Sequence, residues 1–356
     1  MIEAYLRHEE ERNAQGIPAL PLSPEQTTDL CVLLQSPPAG KEEFLMNLFT
    51  ERVSPGVDPA AEVKAGFLAE ILTGAKSSPL IDKVKAVQIL GTMIGGYNVQ
   101  PLISALSDSS LADEAAKALS GLTYVYDAAA QVIELSKSNA AAKTVVESWA
   151  NAEWFTGKAG VPETITVKVF KVEGEINTDD FSPAGDAWSR PDIPLHALAM
   201  GKTRFPGGIE DIAKWREEGH QVAFVGDVVG TGSSRKSACN SVLWYIGDDI
   251  PCVPNKRRGG VIIGGVIAPI FFNTAQDSGA LPLRMDVTNL SMGDVITINT
   301  AKGEVTSEAG EVLTTFDIKP NTVPDEYQAG GRIPLIIGRS LTEQSREALG
   351  MGAVET

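Results

Sequence analysis

Hydrophobic positions recur at helical spacing over the first 157 residues or so of the chain. Ser23-Pro24-Glu25-Gln26 combines a capping serine, a proline at the first helical position and a glutamine at the third, which predicts a helix start. Further helices are predicted after Asp58-Pro59 and at residues 42–49, 83–93, 99–106, 111–122, 128–136 and 140–155. Helices this short must pack against one another to be stable. We therefore expect a HEAT-like α-solenoid over residues 1–157.

The pattern changes to β-branched alternation after residue 157. It predicts strands at 164–172, 224–229 and 261–263, an extended segment at 188–194, a loop at 248–251 and a helix at 268–274, after which 281–283 leads to more strands. It also predicts a small antiparallel sheet from 295–298, 304–305 and 312–316, then a last strand at 332–338 and a closing helix at 341–349. The second domain, residues 158–356, is therefore expected to mix α and β structure, and the whole chain is of the multidomain α and α/β class.

A glycine-rich turn follows the strand predicted at 224–229. Gly230 and Gly232 mark a tight turn, and the sequence from Ser234 predicts a helix start. Backbone N–H groups at a helix amino terminus favour anions, so Ser233, Ser234 and Arg235 could hold a carboxylate or phosphate. The alternative is that Gly232 only makes the turn and Ser233 only caps the helix.

Charge and composition narrow the class of protein. The 356 residues carry a formal net charge of −16, which disfavours binding to a phosphate backbone, although Lys256-Arg257-Arg258 forms a local basic loop. No apolar run is long enough for a membrane span, and the charged amino end does not resemble a signal peptide. Cys31, Cys239 and Cys252 lack disulfide or metal-ligand spacing, so a reducing cytoplasm is expected.

Two other stretches carry candidate chemistry. The adjacent acids Asp179 and Asp180 are typical of a solvated capping turn, but they could also serve a site. Arg190 is either a surface charge or a bidentate partner for a carboxylate. The histidines His8, His196 and His220 are scattered, and the sequence does not place one of them near Ser233.

Taken together, these motifs resemble the aconitase superfamily. The run Gly-x-Gly-Ser-Ser-Arg at 230–235 follows a strand, and Asn-Thr-Asp-Asp-Phe-Ser-Pro-Ala stands upstream at 177–184. Both are similar to the swivelling domain of that superfamily. The helical repeats come first and the swivelling domain second, an order that is similar to the bacterial aconitase B family. Pro-Pro-Ala-Gly at 37–40 and the run 186–200 are also similar to that family. The resemblance covers essentially the whole chain and implies an aconitase-type swivelling β/β/α domain after the solenoid.

The resemblance also implies roles for individual residues. It makes Ser233 the base that removes a proton beside a substrate carboxylate, with Ser234 and Arg235 as substrate-binding neighbours. Arg190 matches a second arginine that binds substrate carboxylate, and Asp179 matches an acid of the active site. A serine hydroxyl can act as a base only where positive charge stabilises the alkoxide. Arginines suit a substrate with two or three carboxylates.

One departure from the family concerns the cofactor. Aconitases bind a [4Fe-4S] cluster through three cysteines, which in aconitase B belong to domains after the swivelling domain. None of the three cysteines here has that ligand spacing, so no metal ligand is assigned and the cluster is expected from downstream domains. The sequence stops about where a linker to those domains would begin, and this chain alone is expected to be inactive.

Two functional hypotheses follow. In the first, the chain is the amino-terminal part of an aconitate hydratase, a lyase that interconverts citrate and isocitrate through cis-aconitate, with 2-methylisocitrate as a related substrate. Its partners would be a tricarboxylate and cluster-bearing domains in cis or in trans. In the second, it is a free-standing non-catalytic module that binds a tricarboxylate or docks a protein. A homodimer through the helical domain and an RNA-binding role stay open, with the acidic charge lowering the latter.

Overall fold

The computed structural model describes residues 1–186, 189–233 and 236–352. By compactness the chain forms two units. The first comprises Met1–Lys158, Pro251–Pro254 and Ile336–Thr356, and the second comprises Ala159–Ile250 and Asn255–Leu335. The division at residue 157 expected from the sequence stays a prediction. Across the described ranges, none of the helices combines the length and the apolar character that a membrane crossing requires.

The first unit is helical, as the hydrophobic spacing predicts. Its helices are α1 (Ile2–Asn13), α2 (Pro24–Gln35), α3 (Glu42–Glu51), α4 (Pro59–Thr73), α5 (Lys83–Gly91), α6 (Val99–Ala105), α7 (Ala112–Ser120), α8 (Ala128–Ser136), α9 (Ala140–Ala150) and α10 (Glu153–Thr156). Ser23 and Gln26 form the reciprocal cap predicted for α2. Neighbouring helices pack around one apolar core that includes Leu34, Leu68 and Trp149. A HEAT-like arrangement of these helices stays a prediction.

The helix predicted at 140–155 is interrupted. Helix α9 ends at Ala150, and Ala152 adopts a left-handed conformation with φ of 53° before α10 begins. The hydrophobic pattern continues across this break because Trp149 and Trp154 are both buried. Periodicity alone therefore could not reveal the break.

The second unit is built on one mixed sheet. Its elements are β1 (Thr164–Asn177), α11 (Thr178–Phe181), a 3-10 turn (Ala184–Asp186), α12 (Ile193–Ala197), α13 (Gly208–Glu217), β2 (Val222–Thr231), α14 (Lys236–Ile246), β3 (Asp248–Ile250), β4 (Val253–Arg258), β5 (Val261–Ile267), α15 (Pro269–Asp277), β6 (Leu281–Arg284), β7 (Val295–Asn299), β8 (Glu304–Ser307), β9 (Val312–Thr315) and α16 (Val323–Ala329). Pro251–Pro254, which includes the first two residues of β4, belongs to the first unit.

Among the described residues, the sheet has seven strands in the order β6-β5-β2-β1-β7-β8-β9. Strands β6, β5, β2 and β1 run parallel, whereas β7, β8 and β9 are antiparallel. The predicted antiparallel pairing of β7, β8 and β9 is confirmed. These strands extend the larger sheet, because β7 pairs with β1 from Thr164 opposite Asn299 to Lys168 opposite Val295. That pairing satisfies the backbone groups along the free edge of β1.

Two local predictions in the second half were wrong. Residues 248–250 form strand β3 of the two-stranded pair β3-β4 rather than part of a plain loop. Pro194 does not keep its neighbours extended but occupies the first turn of α12, where a missing N–H costs nothing. Residue 188 of the predicted extended segment lies outside the described part of the chain.

The predicted last strand at 332–338 is instead part of a helix, α17 (Arg332–Ala348), which also contains most of the predicted closing helix. The buried positions Leu335, Gly338, Leu341 and Ser345 recur at helical spacing. Ile333 and Ile336 belong to the apolar run but are exposed. A continuous apolar run fits a strand and a helix equally well until the buried face is known.

Candidate active site

The carboxyl ends of β1 and β2 bring two candidate segments together. These strands are parallel neighbours, and Asn177 stands opposite Thr231. Beyond them, the Thr178 hydroxyl donates to the carbonyl oxygen of Ser233 at 2.9 Å. Asp179 directly follows Thr178. The structure therefore holds the backbone at Asp179 beside the backbone at Ser233, as expected for an α/β site at the carboxyl edge of parallel strands.

The glycines of the turn have conformational and steric reasons to be glycine. Gly230 has a φ of 79° and Gly232 a φ of 90°, values that other residues rarely adopt. A Cβ at Gly230 would also lie 2.2 Å from Cγ of Phe271, which is too close for any side chain. Glycine at 230 therefore lets the chain pass over the Phe271 ring before it reaches Ser233.

The structure separates the two adjacent acids into different environments. Asp180 belongs to the reciprocal cap of α11: its carboxylate accepts from the Asn177 N–H at 2.9 Å, and its own N–H donates to the Asn177 side chain. Asp179 is exposed in the first turn of the same helix. The capping interpretation thus describes Asp180, and Asp179 is the carboxylate that faces solvent beside the Ser233 segment.

Arg190 lines a cavity of about 240 Å³ in the second unit. The other lining residues are Pro191, Asp192, Ile193, His196, Ser237, Asn240 and Ser241. The guanidinium donates through Nη1 to the carbonyl of Leu195 at 3.1 Å, and its Nε lies 3.5 Å from Oδ1 of Asp186. A hydrogen bond from Lys202, together with the charge of Arg190, holds the pKa of Asp186 below its usual range. Arg190 is thus anchored by Asp186 and the Leu195 carbonyl where it lines the cavity.

The predicted site residues therefore fall into two neighbouring groups. Asp179 and Ser233 lie together at the carboxyl edge of β1 and β2, while Arg190 lines the cavity beside the first turn of α14. Among the described residues, Asp179 and Ser233 do not line that cavity. Ser234 and Arg235 lie outside the described residues. The roles assigned to these five residues stay predictions.

Sequence reasoning missed a polar cluster between these two groups. The Ser182 hydroxyl lies 2.7 Å from Nε2 of His196 and 2.7 Å from the hydroxyl of Ser237. Ser182 and His196 both stand in stretches that carried the family resemblance, 177–184 and 186–200, so their position was a usable signal. Ser237 lies two residues beyond the Gly-Ser-Ser-Arg motif, and only the fold shows that these three residues meet.

The cysteines do not fit the ligands of an iron–sulfur cluster. Burial raises the pKa of Cys31 and of Cys239 to about 12, and it also raises that of the half-buried Cys252. A cluster requires thiolates, which these environments disfavour. Within the described ranges, no group of three or more His, Cys, Asp or Glu side chains could hold a metal ion.

The fold and the motifs define a chain of the aconitase class, and family models agree. One model, described as "Aconitate hydratase 2 N-terminus", matches residues 167–356, which is more than half of the chain. A second, described as "Aconitate B N-terminal domain", matches residues 4–155. The chain belongs to this family of aconitase B amino-terminal regions.

Individual relatives give the same result. The chain is 59% identical over 353 residues to aconitate hydratase B of Synechocystis sp., an alignment that covers 99% of this chain and 41% of that protein. It is 57% identical to the proteins of the same name from Pseudomonas aeruginosa and Escherichia coli, over 365 and 363 residues, with 99% of this chain and 42% of each relative covered. The chain thus spans about two fifths of the length of these relatives.

Proposed function

We propose that this chain supplies the proton-abstracting and carboxylate-binding part of an aconitate hydratase that interconverts citrate and isocitrate through cis-aconitate. The observation that carries the proposal is the hydrogen bond from Thr178 to the Ser233 carbonyl, which holds Asp179 beside the candidate base. Relatives more than 50% identical over nearly the whole chain are named aconitate hydratase B. The related acid 2-methylisocitrate is a further candidate substrate.

In this proposal the Ser233 alkoxide takes a proton from the carbon beside a substrate carboxylate. An ordinary serine hydroxyl is far too weak a base, so its anion must be stabilised by nearby positive charge. Helix α14 begins at Lys236, three residues beyond Ser233, and its amino terminus carries partial positive charge. The electron pair left on carbon is stabilised by the adjacent carboxylate, whose developing charge needs a cationic partner.

Arg190 is the proposed partner for a substrate carboxylate, together with Arg235 and Ser234. Its guanidinium is already oriented by Asp186 and by the Leu195 carbonyl, so little side-chain entropy is lost when an anion binds. A planar fork of N–H donors recognises both the charge and the orientation of a carboxylate. A substrate with several carboxylates could engage more than one of these arginines.

The cluster of the family is proposed to come from domains outside this chain, in cis or in trans. None of the described cysteines suits it, so the contribution of this chain is to bind the substrate and to hold the transferred proton at Ser233 Oγ. Activity is expected only when both parts are present.

The test is to join this chain to the cluster-bearing part of a relative and to measure cis-aconitate hydration by ultraviolet absorbance. Ser233→Ala should abolish turnover with the fold intact, whereas the matched control Ser109→Ala, at an exposed serine of the helical unit, should behave as wild type. Calorimetry of the chain alone with citrate should show binding that Arg190→Ala weakens. Full turnover in Ser233→Ala would reject the proposed base, and citrate binding without any turnover in the joined enzyme would favour a non-catalytic module.

A further inference from the structure

One buried hydroxyl connects the three segments that carry the candidate site residues. Ser182 ends α11, the helix that begins with Thr178 and Asp179, and it is only 2% exposed. Its Oγ contacts Ser237, in the first turn of α14 after the Gly-Ser-Ser-Arg motif, and His196, in α12 after Arg190. Ser182 therefore lies at a junction between elements that are far apart in sequence.

The ring of His196 is neutral where it meets Ser182. Burial is the largest influence on this ring and lowers its pKa, so the imidazole is neutral near pH 7. A neutral imidazole has one donor and one acceptor nitrogen, and Nε2 is the nitrogen that contacts Ser182.

Hydrogen bonds join these residues in a continuous chain. Ser182 pairs with the hydroxyl of Ser237 and with Nε2 of His196, each at 2.7 Å. His196 and Ser237 also line the cavity that Arg190 lines. The chain therefore runs from the start of α14 through Ser182 to the α12 segment beside Arg190.

This cluster does not have the arrangement of a nucleophilic triad. Ser182 is buried, so a substrate could not reach its Oγ. In a triad the serine is open to the substrate, and a carboxylate orients the histidine and stabilises its charged form. The connections seen here are suited to fixing geometry, because buried and hydrogen-bonded polar groups make a local structure rigid.

We propose that Ser182 and His196 are positioning residues that fix Arg190 and the start of α14 relative to Asp179, so that the carboxylate-binding and proton-abstracting groups keep one geometry. This inference rests on the proposed function. The substrate would contact Arg190 and the Ser233 segment, and Ser182 and His196 would act only through them. A displacement of the binding groups by about 1 Å is enough to lower the rate of catalysis by up to about 100-fold.

The test uses the joined enzyme described above and compares Ser182→Ala, Ser237→Ala, His196→Ala and His196→Gln, with Ser109→Ala as control. Ser182→Ala and Ser237→Ala should raise KM for the tricarboxylate by about 10-fold or more and lower kcat less. His196→Gln should recover part of what His196→Ala loses, because the glutamine amide can also hydrogen-bond to Ser182. If Ser182→Ala does not fold, Ser237→Ala at a half-buried position carries the test.

The outcomes separate the two proposals. Raised KM with wild-type behaviour of Ser109→Ala supports the positioning role. Wild-type KM and kcat in Ser182→Ala and Ser237→Ala, with only a lower melting temperature, would overturn positioning while an inactive Ser233→Ala leaves the proposed function standing. An inactive joined wild type, or an active Ser233→Ala, would overturn the proposed function and the positioning role with it.

Discussion

The indole N–H of Trp154 donates to the hydroxyl of Thr342 at 2.9 Å, in a buried contact between residues 188 positions apart. Thr342 in turn donates to the carbonyl of Trp149 at 2.9 Å. Gly338, one turn earlier on α17, lies against the same indole, and a Cβ there would be 2.3 Å from the Trp154 ring. Within the first unit, a hydrogen bond and a close backbone approach therefore hold α17 against Trp154.

This contact predicts that Gly338→Ala destabilises the first unit. The added methyl group must displace a buried indole, and overpacking of this kind costs about 1–3 kcal/mol. Denaturant unfolding followed by tryptophan fluorescence would measure the loss. Gly352→Ala, with nothing within 4 Å of the new Cβ, is the matched control and should leave the unfolding midpoint unchanged. Equal midpoints for the two variants would contradict this close packing of α17 against Trp154.

A second prediction concerns the turn before Ser233. Gly230→Ala should destabilise the second unit by several kcal/mol, because the new Cβ meets the Phe271 ring and the residue also has a positive φ. Gly219→Ala shares the positive φ but meets nothing within 4 Å, so it should cost only about 1 kcal/mol. Chemical denaturation of both variants separates the steric cost from the conformational cost. A Gly230→Ala variant as stable as Gly219→Ala would show that Phe271 moves aside freely.

A third prediction concerns the buried Lys64. Its side chain is 2% exposed, its Nζ lies 3.5 Å from the carbonyl of Thr50, and burial lowers its pKa to about 8 against the opposing influence of Cys252 and Glu51. Between about pH 8 and 10.5 the unfolded chain binds more protons here than the folded chain does, so this group makes stability rise with pH across that window. Below about pH 8 the buried Lys64 is charged in the folded chain, and its full destabilising effect is present.

Lys64→Met should therefore stabilise the first unit at pH 7, by about 2 kcal/mol, since it removes a buried charge and keeps the apolar volume. The gain should shrink as pH rises toward 10.5. Thermal unfolding at pH 7 and pH 9.5 measures both effects. Lys85→Met, at an exposed lysine, is the control and should change little at either pH. A variant that is less stable than wild type at pH 7 would mean that the contacts of Lys64 outweigh its burial.

A fourth prediction concerns acid sensitivity at His196. Burial is the main cause of its lowered pKa, with Asp186 opposing the shift and the Arg190 charge adding to it. In the unfolded chain the ring titrates near pH 6.5. The stability contributed by the neutral ring is therefore complete above about pH 6.5 and is lost as pH falls toward the lower folded value. His196→Gln should flatten the dependence of the unfolding free energy on pH between pH 7.5 and 5.5, which denaturant unfolding at each pH would measure.

A fifth prediction concerns thiol chemistry. Cys31 and Cys239 are buried with a pKa of about 12, while Cys252 is partly exposed. At pH 8 a thiol reagent should modify Cys252 first in the native chain and all three cysteines in denaturant. Mass spectrometry of the labelled peptides provides the measurement. Cys252→Ser should remove the early phase, and fast labelling of Cys239 would contradict the burial that argues against a cluster ligand.

Local signals were sufficient for much of the fold. The caps at Ser23 and Asp58 and the alternation after Thr164 depend on hydrogen bonds and side-chain direction within a few residues, and the structure has the predicted elements there. The glycines before Ser233 likewise mark a turn whose conformation the backbone itself demands. Such features can be predicted from one sequence because both partners of each interaction lie in the same short segment.

The tertiary structure decided what depends on distant partners. Residues 332–338 are helical because one face packs within the fold, a choice that an apolar run leaves open. The pairing of β7 with β1 and the meeting of Ser182 with His196 and Ser237 likewise required the folded chain. Residue types identified the candidate chemistry, but only the packing of separate segments determined which side chains share a site, because burial and long-range hydrogen bonding are properties of the assembled fold.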